Sequence, residues 1–422
     1  MGKHRYSWKK PIQQLTGKHG TLLLTALNVC LACLIITLSN YWSCLDITHN
    51  NTDYMTFFLP DYRIGFVSRA LVGSVIYLFT DHPTVRMIST MLFIAVFCSC
   101  MLFCWMQAVL AKKALLSGDY ATLLLSYLFF LSKSFWCNAF LGIGLLDIFM
   151  TLLLQLFLLC IERKRTVGYV LAPIVCFAGL LIHTAFFFVG FPVAAAILWL
   201  ELLKSGRPNR ICAVFFTAVC VVSVALFLMF TIFPQVFVRV TPDELLSMLK
   251  EKYDGEIQDT YFISHMFRTN GEKYADTIRA SGFLEYATSS TNIFSTKIIY
   301  HFVNLTVLSV PFVYGCLSHA RRSGNRKIAY LGFIAPLVTL FPSLHFSTDK
   351  ERFFSLCLLA LYMLLHYVVT QTDAHFLPCA DDPPQKKLSR YEAQQRREKF
   401  RRASVVCTVV GLVFTLVMTQ KL

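Results

Sequence analysis

Charge is what this chain has least of. Asp, Glu, Lys and Arg make up 15% of its 422 residues, against about 25% in an ordinary soluble domain. With 56% apolar residues and a mean hydropathy of +0.58, a sizeable water-soluble domain is excluded. The longest polar stretch, 235–297, contains no cysteine, which excludes a disulfide-framed ectodomain. No zinc-finger or RNA-binding motif is present. The net charge of +15 is dispersed as short Lys/Arg runs between apolar segments, the pattern of charges that set membrane topology, so nucleic acid is not expected as a partner. No internal repeat supports the inverted-repeat architecture of many transporters. The glycines before Asp147 lack the Gly-x-Gly-Asp spacing of intramembrane aspartyl proteases, and no Gly-x-Ser-x nucleophile of the rhomboid type is evident. The N-terminal run 21–44 is too long for a signal peptide and has no clear small-residue cleavage site; it reads as a retained signal-anchor. Cys30-Leu31-Ala32-Cys33 has redox spacing but lies inside that run, where a thiolate has no electropositive, accessible setting. Both cysteines read as small packing residues.

What the chain does have is apolar runs long enough to span a bilayer. They fall near 21–43, 87–110, 120–135, 138–161, 168–184, 186–203, 211–233, 298–318, 327–344, 353–371 and 403–420. The expected fold is therefore an all-α polytopic membrane protein of about 11 transmembrane helices, one membrane domain over 1–422. The stretch 168–203 is two short spans or a re-entrant pair, divided at His183-Thr184. Basic residues orient the spans. With the N-terminus in the cytoplasm and 62–80 not crossing, the inner side holds five residues before the first span, the clusters at 112–113, 163–165, 204–210 and 321–327, and eight in the tail, together 25 of the 39 Lys and Arg. If 62–80 crossed, that bias would reverse. Segment 62–80 is accordingly expected as an outer interfacial or re-entrant helix. Segment 235–297 is expected as an outer-face cap and 372–402 as a basic cytoplasmic segment that meets anionic lipid headgroups or docks a protein. An odd number of spans puts the C-terminus outside, in a plasma or inner membrane.

Charges at membrane depth are costly and therefore suggest function. The run from Asp53 to Gly73 carries Asp53, Asp61, Arg63 and Arg69 in an otherwise apolar setting. In a helix starting near Asp61, Gly65, Arg69 and Gly73 would share a face; Asp61 could equally be that helix's N-cap. Three further polar sites are expected on the same side: Asp147 near the end of a span, His183 at the break, and the loop holding His345, Lys350 and Arg352. Asp147 and His183 each also have a structural reading as hydrogen-bonded groups within the bundle. Carboxylates and cations on one face suit transfer from a phosphate leaving group: an acid as general base on a hydroxyl, arginines and a histidine on the departing phosphate.

On these residues, and on the run Asn138–Met150 followed by a span ending in Arg163-Lys164-Arg165, and on Asp349-Lys350-Glu351-Arg352, the chain resembles the GT-C glycosyltransferases. These are multi-span enzymes that use polyprenyl-phosphate sugars. The resemblance lies in layout and short motifs, and the large C-terminal soluble domain of many members is missing. It implies a lipid-linked sugar donor, a glycan or lipid acceptor, and a role in cell-surface polysaccharide or glycoconjugate assembly. It implies Asp61 or Asp53 as the base, with Arg63, Arg69, His183, His345, Lys350, Arg352 and Asp147 handling phosphate or shaping the site. No cofactor is expected, although a divalent metal is compatible with the resemblance. A transporter or flippase for lipid-linked or small anionic substrates is the alternative.

Overall fold

A computed structural model describes residues 17, 19–38, 56–132, 136, 140, 146–204, 210–232, 238–253, 309–310, 312–320, 326–346 and 350–371. Among them the regular structure is helical. Four helices are long and apolar enough to cross a membrane: Gly20–Leu38, Val85–Leu116, Arg165–Ile182 and Arg210–Phe230. Shorter apolar helices lie at Tyr120–Phe130, Phe186–Leu202, Lys327–Thr339 and Ser355–Thr370. The chain is an all-helical membrane protein.

In chain order the helices are α1 (Gly20–Leu38), α2 (Ala70–Ile76), α3 (Val85–Leu116), α4 (Tyr120–Phe130), α5 (Asp147–Arg163), α6 (Arg165–Ile182), α7 (Phe186–Lys204), α8 (Arg210–Ile232), α9 (Pro242–Lys252), α10 (Arg326–Phe346) and α11 (Lys350–Gln371). The run 168–203 is thus two helices separated at His183–Ala185. Expected span 403–420, the tail 372–402 and most of the cap 235–297 lie outside the described residues.

Packing sorts the helices by hydrophobic pattern. Helix α11 is buried nearly all round from Ser355 to Val368, as suits a central helix apolar on every face, and it packs on α3, α5, α7 and α10. Helix α6 lies among α5, α7 and α8. At the periphery, Leu22, Leu27 and Leu34 of α1 and Val214 and Val221 of α8 are exposed, the surface that acyl chains would cover. Between helices, polar side chains bond to one another because hydrocarbon offers no water. Asn28 of α1 donates to the Cys104 carbonyl of α3 at 3.0 Å and accepts from Tyr127 of α4 at 2.9 Å. Ser99 and Gln155 join α3 to α5 through bonds of 2.8 and 3.1 Å.

The continuous helix expected over 62–80 does not form. Instead there are single 3-10 turns at Thr56–Phe58 and Tyr62–Ile64, an extended break at Gly65, and the seven-residue α2. Two tertiary contacts break it. Gly65, at φ 131°, forms an isolated antiparallel bridge with Val238, and the Arg239 amide donates to the Ile64 carbonyl at 2.9 Å. The Arg69 amide donates to the Leu181 carbonyl at 2.7 Å, satisfying one of the carbonyls left open at the end of α6. Gly65, Arg69 and Gly73 therefore do not share one helix face. Gly73 has a different role: a Cβ there would lie 2.1 Å from the Pro60 carbonyl oxygen, so only glycine lets the Pro60–Tyr62 turn rest on α2.

Candidate functional site

The site begins with Asp61. Pro60 and Tyr62 are fixed against α2, the latter through its amide, which donates to Ser74 Oγ at 3.0 Å. Between them Asp61 is buried (6% exposed) and caps the Tyr62–Ile64 turn. Its Oδ1 accepts from the Arg63 amide at 2.7 Å, and its Oδ2 from Arg63 Nε at 2.7 Å and from Arg63 Nη2. Both carboxylate oxygens are thus held by one residue. The Arg63 side chain is 47% exposed, and its pKa is raised further, chiefly by the hydrogen bond to Asp61. Its guanidinium lies over the Tyr77 ring at 4.5 Å, and the Lys252 ammonium lies over the same ring at 5.4 Å. The Tyr77 phenol is pushed up to about 12 by burial first and by Asp61 second, with Arg63 opposing.

At the other end of α2 stands Arg69. It occupies the N-cap position in left-handed conformation, φ 73° and ψ 0°. Two local preferences are violated there. A non-glycine side chain is strained in that region, and a cation sits badly at the positive end of a helix. Tertiary contacts hold it: the amide bond to Leu181 and the guanidinium placed 5.1 Å over the Phe57 ring. Such strain collects at functional sites.

Arg69 Nη2 lies 3.0 Å from His183 Nε2. His183 ends α6 in extended conformation, and its Nδ1 accepts from the Ala185 amide at 2.9 Å, on the way into α7. Arg69 Nη2 and the Ala185 amide are both obligate donors, and a neutral imidazole accepts at only one of its two nitrogens, so one of the two contacts sets donor against donor whichever tautomer is present. An oxyanion beside the guanidinium compensates for such a contact. The ring of Phe353 in the first turn of α11 lies 6.2 Å from the His183 ring, so the helix that carries Lys350 and Arg352 starts at this point.

The structure therefore joins Asp61 to Arg63 and Arg69 to His183. The two pairs are linked through α2: Gly73 and Ser74, which hold Pro60 and Tyr62, come four to five residues after Arg69, about 6–8 Å along the helix axis. Asp147 is buried (5% exposed) in the first turn of α5, where an acid complements the helix dipole. Phe58, the last residue of the first 3-10 turn, packs edge-on against Phe149 in the first turn of α5 at 6.2 Å. Asp53 and the side chains of His345, Lys350 and Arg352 lie outside the described residues. Among the described residues, no three His, Cys, Asp or Glu side chains converge as metal ligands.

Sequence reasoning missed Tyr77 and Lys252, whose pairing is a contact between distant segments. It also passed over a second cluster, at the far ends of α6 and α7. Glu201 of α7 accepts from Tyr169 at 3.0 Å and from Tyr367, with Arg165 Nε at 3.5 Å. Glu162 of α5 accepts from Thr370 at 2.9 Å and pairs with His366 at 3.0 Å. The signal was present: two carboxylates at the ends of apolar runs.

No family model matches this sequence, and no curated protein or solved structure matches it.

Proposed function

We propose that the chain is a membrane glycosyltransferase that moves a sugar from a polyprenyl-phosphate-linked donor to a glycan or lipid acceptor, in the assembly of a cell-surface polysaccharide or glycoconjugate. The observation that carries this reading is the strained Arg69 set against His183, a guanidinium and an imidazole side by side in a way that suits an oxyanion. Arg69 stands at the start of the same short helix, α2, against which Pro60 and Tyr62 hold the Asp61 segment. In the reaction, the acceptor hydroxyl oxygen bonds to the anomeric carbon and its proton passes to the carboxylate of Asp61, or of Asp53. The bond from that carbon to the phosphate oxygen breaks. The electron pair stays on the phosphate, where Arg69 and His183 donate to it. Arg352 and Lys350, with His345, would complete the phosphate site from the α10–α11 connection, and Asp147 would support the wall at α5. The setting is a plasma or inner membrane, with about 11 spans, the N-terminus in the cytoplasm and the C-terminus outside. This orientation puts the α6–α7 turn on the outer face and Arg163-Lys164-Arg165 on the inner.

The rival reading, a transporter or flippase, draws on one observation, the buried Glu162–His366 pair, since such pairs also serve proton-coupled carriers. Farnesyl phosphate tests the phosphate site, and transfer from a polyprenyl-phosphate sugar separates the two readings. Bound to the purified full-length protein, it should raise the thermal midpoint where farnesol does not, and Arg69→Gln or His183→Gln should abolish the rise. With a polyprenyl-phosphate sugar as donor, Asp61→Asn should retain that binding, because Asn still caps the turn, and lower transfer about 10²–10⁴-fold. The same change at Asp53 chooses between the two acids. Equal stabilisation by farnesol, or full transfer in both Asn variants, would falsify the enzyme reading.

A further inference from the structure

Resting on that reading, the geometry points to a second oxyanion site: Arg63 and Lys252, set against the ring of Tyr77, receive a carboxylate or phosphate carried by the acceptor saccharide, and in doing so draw Arg63 off Asp61.

The first support is the pair of cations itself. Arg63 lies 4.5 Å and Lys252 5.4 Å from the centre of one ring, so the two charges are no more than about 10 Å apart, within mutual repulsion at ordinary salt. Lys252 is half-buried and makes no ion pair among the described residues. Its place in the last turn of α9 suits the helix dipole, which explains a lysine there but not why its ammonium rests on a ring already taken by a guanidinium. Arg63 commits Nε and Nη2 to Asp61, which leaves three of its five N–H donors outside that pair. Asp81, exposed in the turn after α2, is near enough to act on Arg63. An oxyanion between Arg63 and Lys252 neutralises the repulsion and uses Arg63 donors that lie outside the Asp61 pair.

The second support is the state of Asp61. With both oxygens held by Arg63, its carboxylate is not open to a hydroxyl. Removing Arg63 from a buried carboxylate without replacement is costly. An acceptor carrying its own oxyanion offers Arg63 a new partner, while the acceptor hydroxyl gives Asp61 a proton that cancels the charge left behind. Water can do only the second. The latch thus releases the base when the acceptor is present and protects the donor from hydrolysis when it is not.

The third support is that both cations are held by structure. The bridge Gly65–Val238 and the bond from the Arg239 amide to Ile64 join the two segments. Leu245, Leu249 and Tyr253 bury the face of α9 in the same core as Ile64 and Ile76.

The test is thermal denaturation of the full-length protein with methyl glucuronide, glucose 6-phosphate, methyl glucoside, inorganic phosphate and farnesyl phosphate as separate probes. At least one charged saccharide should raise the midpoint by several degrees where the neutral glycoside and inorganic phosphate do not. Lys252→Met should remove that rise, Lys252→Arg should keep it, and both should leave the response to farnesyl phosphate intact. Equal responses to charged and neutral saccharides, a rise that survives Lys252→Met, or inorganic phosphate reproducing it in full would each overturn the site. Normal farnesyl phosphate binding through Arg69 with no charged-saccharide response removes this inference alone. Failure of farnesyl phosphate itself removes the transfer reading.

Discussion

Helices α6 and α7 carry polar groups at both ends of their pairing, and the two ends treat them in opposite ways. Where α6 begins and α7 finishes, the carboxylates have hydroxyl donors, Tyr169 and Tyr367 for Glu201 and Thr370 for Glu162 on the adjoining α5, with Arg165 and His366 at ion-pair distance. The donors come largely from α11, so this network fixes the central helix against three neighbours. Where α6 finishes and α7 begins, the Arg69 guanidinium lies against the His183 ring, and the backbone of Arg69 is in its strained left-handed form. A closed network of this kind contributes stability and register. A backbone held in a strained form beside charged and ionisable groups is the kind of arrangement that collects at functional sites.

The largest expected effect breaks the closed end. Glu201→Leu leaves the buried hydroxyls of Tyr169 and Tyr367 without their acceptor, at about 1–3 kcal/mol each, so the protein should lose about 2–6 kcal/mol of stability. Guided by the comparison, farnesyl phosphate should still bind to whatever remains folded. A variant as stable as the parent would mean that the network is ornamental to the fold. The open end should respond in reverse. Arg69→Gly suits φ 73° and removes the strain, so stability should change by no more than about 1 kcal/mol in either direction, while farnesyl phosphate loses its stabilising effect. If Arg69→Gly instead unfolds the protein, the two ends do not differ in kind.

Two smaller effects sharpen the contrast at the segment that covers α2. Thr241 and Glu244 form a capping box at the start of α9, and Thr241→Ala should cost about 1 kcal/mol, read as a lower thermal midpoint and a weaker Lys252-dependent response to charged saccharides. The smallest effect is at Tyr77. Its phenol is raised from 10 to about 12, so the folded state holds the proton more tightly than the unfolded one. The stability this contributes is complete below pH 10 and lost as pH rises from 10 towards 12. Tyr77→Phe should therefore flatten the alkaline fall of the thermal midpoint; an identical fall in parent and variant would show that the ring is not buried between its cations.

The contrast also explains which parts were readable from the sequence. Apolar runs predict α1, α3, α6, α7 and α8, because hydrophobic length is a local property, and the polar break at His183-Thr184 marks where α6 and α7 separate. The weight placed on Asp61, Arg69 and His183 came from charge in apolar surroundings, also local. The geometry of 62–80 was not readable. It depends on Val238 and Leu181, more than a hundred positions away, whose contacts overrule the helical spacing of Gly65, Arg69 and Gly73. The setting of His183 between Arg69 and the Ala185 amide depends on how α2 meets the end of α6, and the pairing of Lys252 with Tyr77 depends on how α9 docks. Glu162 and Glu201 were readable in principle, but a neighbouring cluster of arginines and lysines made them look like ordinary inner-end charges.

The bridge between Gly65 and Val238 also sets a timetable for synthesis. Its two halves are separated by roughly 170 residues, and at about 5–20 residues per second a ribosome needs about 9–35 s to make that length. Residues 56–79 are thus delivered to the membrane well before Leu181 arrives to accept from Arg69, and longer still before Val238 arrives to accept the edge at Ile64–Gly65. Until then the backbone groups at Ile64–Gly65 and Arg69 wait without these partners, within reach of any insertase or chaperone that binds exposed chain. The segment around α2 therefore reaches its final form only after α9 has been made, when Lys252 joins Arg63 on the Tyr77 ring.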